Sequence, residues 1–304
     1  MDVALKVRVR SAPDGKQKSF AMKLATYWRD GSERFGALVR DGIVELSSDR
    51  FPTLRSVLAA NVLDRLADRA ANGEVISLAG LAWRKPIIDP GKIICVGLNY
   101  KDHAAEAAAE VPANPSLFVR FNDAQVAHEE DIVRPTVSRQ FDYEGELAVI
   151  IGREARHVPA ERALDHVAGY SCFAENSLRD FQGHSRQATA GKNFERSGAF
   201  GPCLVTADEI PDPSKLILAT RLNGLEMQRA STSDLIFPVP VLISYISSFT
   251  RLMPGDVIAT GTPKGVGSAR KPQLWMKAGD VLEVEISGIG VLRNRVVDEV
   301  AEAA

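Results

Sequence analysis

The stretch Phe141-Asp142-Tyr143-Glu144-Gly145-Glu146-Leu147-Ala148-Val149-Ile150-Ile151-Gly152 changes character halfway. It opens with acidic residues set among aromatics and a glycine, then becomes an unbroken apolar run of strand length, which reads as a buried strand. Glu144 and Glu146, two residues apart, face the same side and stand roughly 6.5 Å from each other at strand rise. At an effective dielectric near 20 their mutual repulsion is about 2.5 kcal/mol. A nearby cation would turn that cost into a site. An exposed strand end with screened carboxylates has the same spacing, but here buried residues follow and a second acidic cluster comes later, Glu175-Asn176-Ser177-Leu178-Arg179-Asp180. All-oxygen donors suit a hard cation, magnesium or manganese with calcium also admitted, rather than zinc.

Outward from this strand, Lys92 to Gly97, Gly201 to Val205, Leu216 to Leu222, Asp256 to Thr260 and Val281 to Ile286 are also strand-like, separated by turn residues. The chain is therefore β-rich α+β. A smaller β-rich unit precedes it, with strands over 23–28, 36–39 and 43–46 around an Asp41-Gly42 turn. Leu54, Val57, Leu58, Val62, Leu63 and Leu66 follow at helical spacing. These patterns divide the chain into a flexible extension (1–21), a small N-terminal domain (22–88) and a catalytic domain (89–304). A second helix is expected to start at Pro240, with Val241, Leu242, Tyr245, Ile246 and Phe249 forming its core face.

The strand at Lys92 feeds into Asn99-Tyr100-Lys101-Asp102-His103. Asn99 is placed to cap a helix running to about Glu110, with Asp102 in the capping-box position. His103 and Glu106, three apart, share a helix face, and a carboxylate beside an imidazole orients it and raises its basicity. The same spacing suits a surface ion pair. Thr260-Gly261-Thr262-Pro263-Lys264-Gly265-Val266-Gly267 matches neither phosphate-loop pattern and no helix opens after it, so a dinucleotide is not expected. The turn reads either as a nest of N–H groups for a small carboxylate or as a glycine-rich connection.

Composition excludes other classes. A formal net charge of −2 provides no phosphate-neutralising surface, so nucleic acid is not an expected partner. The longest apolar run, Leu235 to Tyr245, is too short for a span and contains two prolines, so no membrane is expected either. Cys95, Cys172 and Cys203 stand apart among apolar residues and read as reduced core thiols. The first twenty residues lack a secretory apolar core, and a cytoplasmic location is expected.

Taken in order, five segments resemble the fumarylacetoacetate hydrolase family: G-L-N-Y-K-D-H-A-A-E from Gly97, D-Y-E-G-E-L-A-V-I-I-G from Asp142, R-D-F-Q from Arg179, G-K-N-F from Gly191 and T-G-T-P-K-G-V-G from Thr260. The resemblance spans about residues 90 to 297. It implies a small leading domain and a larger mixed β-roll that encloses a metal site, commonly as a homodimer. It makes Glu144, Glu146 and Glu175 metal ligands, with Glu175 preferred over Asp180, and His103 with Glu106 the water-activating pair. Lys192 is implied to steady developing charge, and Arg179, Gln182, Thr260, Gly261 and Thr262 to contact substrate. Two positions depart from the family's usual motifs. Glu175 stands where Asp is common, and Arg120, in Phe118-Val119-Arg120-Phe121, stands where Lys is common.

The activity implied is a divalent-metal-dependent hydrolase that cleaves a C–C bond in a 2,4-dioxo acid by way of an enolate held at the cation. The same site would serve an oxaloacetate-type decarboxylase or a 2-oxo acid isomerase or hydratase, since function lives in the site rather than the fold. A non-catalytic, metal-stabilised binding protein is the alternative of another class.

Overall fold

The computed structural model describes residues 8–10, 19–106 and 110–300. Residues 8–10 pair antiparallel with 19–21, within the segment expected to be an extension; the rest of 1–18 lies outside the described residues. The N-terminal unit supplies β1 (Lys23–Arg29), β2 (Ser32–Val39), β3 (Gly42–Glu45) and α1 (Leu54–Ala60). Thr53 caps α1 in a capping box with Ser56. The expected helix is shorter than its apolar spacing suggested, because Asn61 turns left-handed (φ 53°) and ends it. Leu63–Leu66 continues as a separate 3₁₀ turn.

The larger part begins with β4 (Ile93–Gly97), followed by α2 (Lys101–Glu106) and β5 (Ser116–Val119). Next come β6 (Gly145–Ile151), β7 (Val167–Ala174), the single-turn helices α3 (Arg179–Gln182) and α4 (Thr189–Lys192), and β8 (Gly198–Thr206). The chain continues through β9 (Ile217–Leu222), β10 (Leu225–Ser231), α5 (Val239–Phe249), β11 (Val257–Ala259), β12 (Val281–Ile286) and β13 (Gly290–Asp298).

One long sheet runs β3-β2-β1-β8-β7-β6-β11-β4-β5. The small unit joins it directly, because Leu24 of β1 pairs with Leu204 of β8. A second sheet contains β13-β12-β9-β10. Most pairs are antiparallel and β11 with β4 is parallel, so the fold is mixed, β-rich α+β. Every residue of β6 is buried, as its apolar run requires. Gly145 shows how closely the second sheet packs there: an added Cβ would lie 2.1 Å from Thr220 Oγ1 of β9. A side chain is excluded on that face of β6, and by strand alternation its neighbours Glu144 and Glu146 project to the other.

Two expectations about helices are corrected. Helix α5 begins at Val239, with Pro238 as its cap. Its buried stripe is Val239, Leu242, Ile243 and Ile246, while Val241 and Phe249 are 39% and 57% exposed. Those two lie a step around the helix, where Phe249 makes an edge contact with Tyr245 instead of entering the core. Helix α2 starts at Lys101 and Asn99 does not cap it; residues 107–109 of the expected helix lie outside the described ones. The three cysteines are free and buried.

Candidate active site

Strand pairing gathers the acidic residues. β6 runs antiparallel to β7, so the chain leaving β7 at Ala174 passes the start of β6, and Glu175 N–H donates to Glu144 C=O at 2.8 Å. Carboxylate oxygens of Glu144, Glu146 and Glu175 lie within 4.8 Å of one another. All three residues are at most 4% exposed. Asp180 is directed elsewhere and accepts from Ser138 Oγ at 2.7 Å.

The cluster is braced by cations and donors. Lys192 Nζ, at the end of α4, bonds Glu144 Oε2 at 2.9 Å and Glu175 Oε2 at 2.8 Å. Arg179 Nη2 stands 2.6 Å from Glu144 Oε1, and its Nε bonds Asp142 Oδ2 at 2.8 Å. Ser177 Oγ donates to Glu144, and the Gly261 amide to Glu146 Oε2 at 2.8 Å. Gly261 reaches that position with φ +99°, where a Cβ would meet Asn99 Cβ at 2.7 Å. Burial alone would raise the Glu144 carboxyl, but Arg179, Lys192 and the Lys192 and Ser177 bonds outweigh it and hold it at about 2. Glu146 goes the other way: burial first, then the Glu175 and Glu144 charges, push it well above the ordinary carboxylate range. Burial opposes the charge on Lys192, yet Glu144 and Glu175 prevail and its ammonium is held above its usual value.

The trio is thus short of positive charge. Glu175 Oε1 is buried without a nitrogen or oxygen donor among the described residues, and the weakly donating Cys95 thiol faces this carboxylate. An orphaned buried carboxylate oxygen is costly unless something else satisfies it. Three convergent carboxylates with a free oxygen fit a hard divalent cation.

Across the cavity lies the pair on α2. His103 Nδ1 is 3.1 Å from Glu106 Oε2. The Gly265 amide donates to both Glu106 oxygens, at 2.9 and 3.2 Å, and Lys264 Nζ bonds Asp102 at 2.7 Å. The helix is therefore docked onto the loop after β11. Tyr143 fastens that loop in turn, donating to Gly265 C=O at 3.0 Å while accepting from Arg270 Nε at 2.7 Å. Asn99 also ties segments together. It donates to Thr260 C=O at 2.7 Å and to Phe237 C=O at 3.1 Å, and accepts from the Phe237 amide at 2.8 Å. Its donors and acceptor are spent on this clamp, and Asp102, paired with Lys264, completes no capping box.

One cavity of about 440 Å³ is lined by both groups: His103 and Glu106 on one side, the three glutamates, Arg179, Gln182 and Lys192 on the other. Val96, Leu98, Phe118 and Val266 add apolar surface. Of the Thr260 turn, Thr262 lines this cavity, while Thr260 and Gly261 do not. Thr260 is fully buried and its hydroxyl donates to Leu147 C=O. The Gly261 amide, expected for a ligand carboxylate, is engaged by Glu146. Thr262 Oγ1 donates to Gly145 C=O and accepts from Gln228 Nε2 at 2.8 Å. Gln182 Oε1 accepts from Arg179 Nη1. The bracing roles of Tyr143, Ser177, Asn99 and Gln228 were not read from the sequence; the first three lie inside or beside the quoted motifs, whereas Gln228 on β10 carries no local signal.

The profile of the family described as Fumarylacetoacetate (FAA) hydrolase C-terminal matches residues 92–297. The chain belongs to the fumarylacetoacetate hydrolase family. It is 39% identical over 230 residues to the mitochondrial oxaloacetate tautomerase FAHD2A of Homo sapiens, covering 75% of this chain and 73% of that one. Among solved structures, fumarylacetoacetate hydrolase from psychrophilic Exiguobacterium antarcticum is similar with a TM-score of 0.80 and 33% identity, over 91% of this chain and all of that one. Maleylpyruvate hydrolase from Sphingobium sp. SYK-6, in complex with manganese(II) ion and pyruvate, is similar with a TM-score of 0.77 and 26% identity, over 92% of this chain and all of that one. One cavity of this chain is lined by both a carboxylate trio and a His–Glu pair.

Proposed function

We propose that this protein is a divalent-metal-dependent isomerase that interconverts the keto and enol forms of a small 2-oxo acid of the oxaloacetate type. The observation that carries the reading is the placement of the His103–Glu106 pair and the carboxylate trio on one small cavity. That arrangement offers one proton-carrying group beside a place where an oxo acid can be held. An ionised Glu106 only accepts, so it takes the Nδ1–H of His103 and leaves Nε2 as the base. His103 removes a proton from the carbon next to the oxo group and returns it to the enol oxygen, and the isomerisation consumes nothing. Magnesium or manganese held by Glu144, Glu146 and Glu175 supplies Lewis acidity toward the oxo group. Lys192 and Arg179 keep Glu144 and Glu175 ordered and, with Gln182 and Thr262, face the substrate; the Gly261 amide holds Glu146 from behind. Similarity to the oxaloacetate tautomerase over about three quarters of both chains favours isomerisation.

C–C bond hydrolysis of a 2,4-dioxo acid is the second reading, favoured by the likeness to maleylpyruvate hydrolase. There the same pair would take a proton from water. The test follows the ultraviolet enol band of freshly dissolved oxaloacetate with metal-loaded protein, alongside a coupled pyruvate assay on oxaloacetate and acylpyruvates. Chelator-sensitive enol decay without pyruvate supports the isomerase. Pyruvate from acylpyruvates would replace it with the hydrolase, and pyruvate from oxaloacetate with a decarboxylase. Metal uptake with no turnover on any of them would leave a binding protein.

A further inference from the structure

Behind Glu175 lies a group of polar side chains that does not line the cavity. Arg120, Gln125, Asn176 and Ser197 are each at most 3% exposed. Arg120 Nη1 donates to Asn176 C=O at 2.9 Å and its Nη2 to Ser197 Oγ at 3.0 Å. Asn176 Nδ2 closes the ring by donating to Ser197 C=O at 2.8 Å. The guanidinium thereby grips the backbone immediately after Glu175. Four buried atoms of this neighbourhood lack a hydrogen-bond partner among the described residues: Arg120 Nε, both ends of the Gln125 amide and Asn176 Oδ1. Burial pulls the Arg120 guanidinium below its ordinary value, and Glu175 leads the groups opposing that pull.

We propose that Arg120 is a positioning residue for the cation site, fixing through the Asn176–Ser197 clamp where the long Glu175 side chain delivers its carboxylate. The proposal rests on the reading that the trio holds a cation. Glu175 carries one more methylene than an Asp, so the position of its backbone decides where the carboxylate arrives, and a forked base holds that backbone. A lysine ammonium lacks the planar fork that meets Asn176 C=O and Ser197 Oγ together.

The alternative, a bystander charge, predicts the opposite sign. A fixed positive group near a cation site repels the cation, so removing it would tighten binding. The experiment is calorimetric titration of Mn²⁺ into chelator-stripped full-length protein, for the wild type, Arg120→Met, Glu175→Asp and the double variant, with the melting temperature of each. Arg120→Met and Glu175→Asp are each expected to weaken Mn²⁺ about tenfold, the range for groups that orient a ligand. In the double variant the losses do not multiply, because an Asp carboxylate no longer depends on the clamp. Tighter or unchanged binding by Arg120→Met, or a double variant about a hundredfold weaker, overturns the proposal. If Arg120→Met fails to fold, Ser197→Ala removes one acceptor of the clamp and is expected to weaken Mn²⁺ about threefold, with unchanged affinity overturning it. A wild type that takes up no Mn²⁺ overturns the cation reading itself, and this proposal with it.

Discussion

The two walls of the cavity are built differently. The carboxylate wall stands on β6 and the exit of β7, central strands of the long sheet, with all three glutamates buried and most of their oxygens hydrogen-bonded. The opposite wall is α2, described over Lys101–Glu106, and of those residues it buries Ala104. It is held by its docking on the loop at Lys264 and Gly265 and by the Asn99 clamp. Binding geometry is thus set in rigid elements, while the proton-carrying pair sits on an element whose position depends on a few side-chain bonds. Regions with few buried contacts open first, so disturbance of the loop should reach His103 long before it reaches the trio.

The comparison can be broken outright at the first wall. Glu146→Gln removes a carboxylate from the trio, and calorimetry is expected to show no Mn²⁺ uptake and the assay no turnover; retained binding would remove the trio as the cation site. His103→Ala tests the second wall alone. Turnover should fall about 10²- to 10⁴-fold, the span for a positioned acid or base, with Mn²⁺ affinity unchanged. Equal losses in both would show that the walls are not separable. Tyr143→Phe sharpens the contrast, because it deletes the hydroxyl that holds Gly265 and leaves the ring in place. kcat is expected to fall about tenfold, one step of about 1.4 kcal/mol, with KM and Mn²⁺ affinity unmoved.

The smallest effect belongs to a control outside both walls. His128 accepts from the Arg293 amide at 3.0 Å and packs edge-on to Trp83. Burial pulls its imidazole below the ordinary value of 6.5. A base with a depressed value contributes stability that is full above 6.5 and lost as pH falls below it, since the unfolded chain protonates first. Between pH 7 and 5.5 the wild type should lose about 2 °C more in melting temperature than His128→Asn. Turnover of the two proteins at pH 7 should be alike.

Much of the site was legible because its chemistry lies in short segments. Glu144 and Glu146 stand two apart at the entry to β6, His103 and Glu106 on one helical turn, and local periodicity alone places each pair on a shared face. The apolar run of β6 likewise announces a central strand, since only a doubly covered strand tolerates it. Long-range matters were not legible. Asn99 had the chemistry of a helix cap and serves as a clamp, because Thr260 and Phe237 offer it buried partners that a solvent-facing helix end does not. The Thr260 turn reaches the cavity through Thr262, and the recipient of its Gly261 amide is the protein's own Glu146.

The sequence by itself determined the β-rich class, the acidic strand entry and the His–Glu pair, because these rest on spacing within a few residues, and it carried the family through the resemblance of five segments in order. Only the tertiary structure decided that Glu175 and not Asp180 joins the trio, that Gly145 must be glycine beneath Thr220, and that Arg120 is buried behind Glu175. Those facts depend on strand register and on how closely two sheets approach, quantities set by packing between segments that lie far apart along the chain.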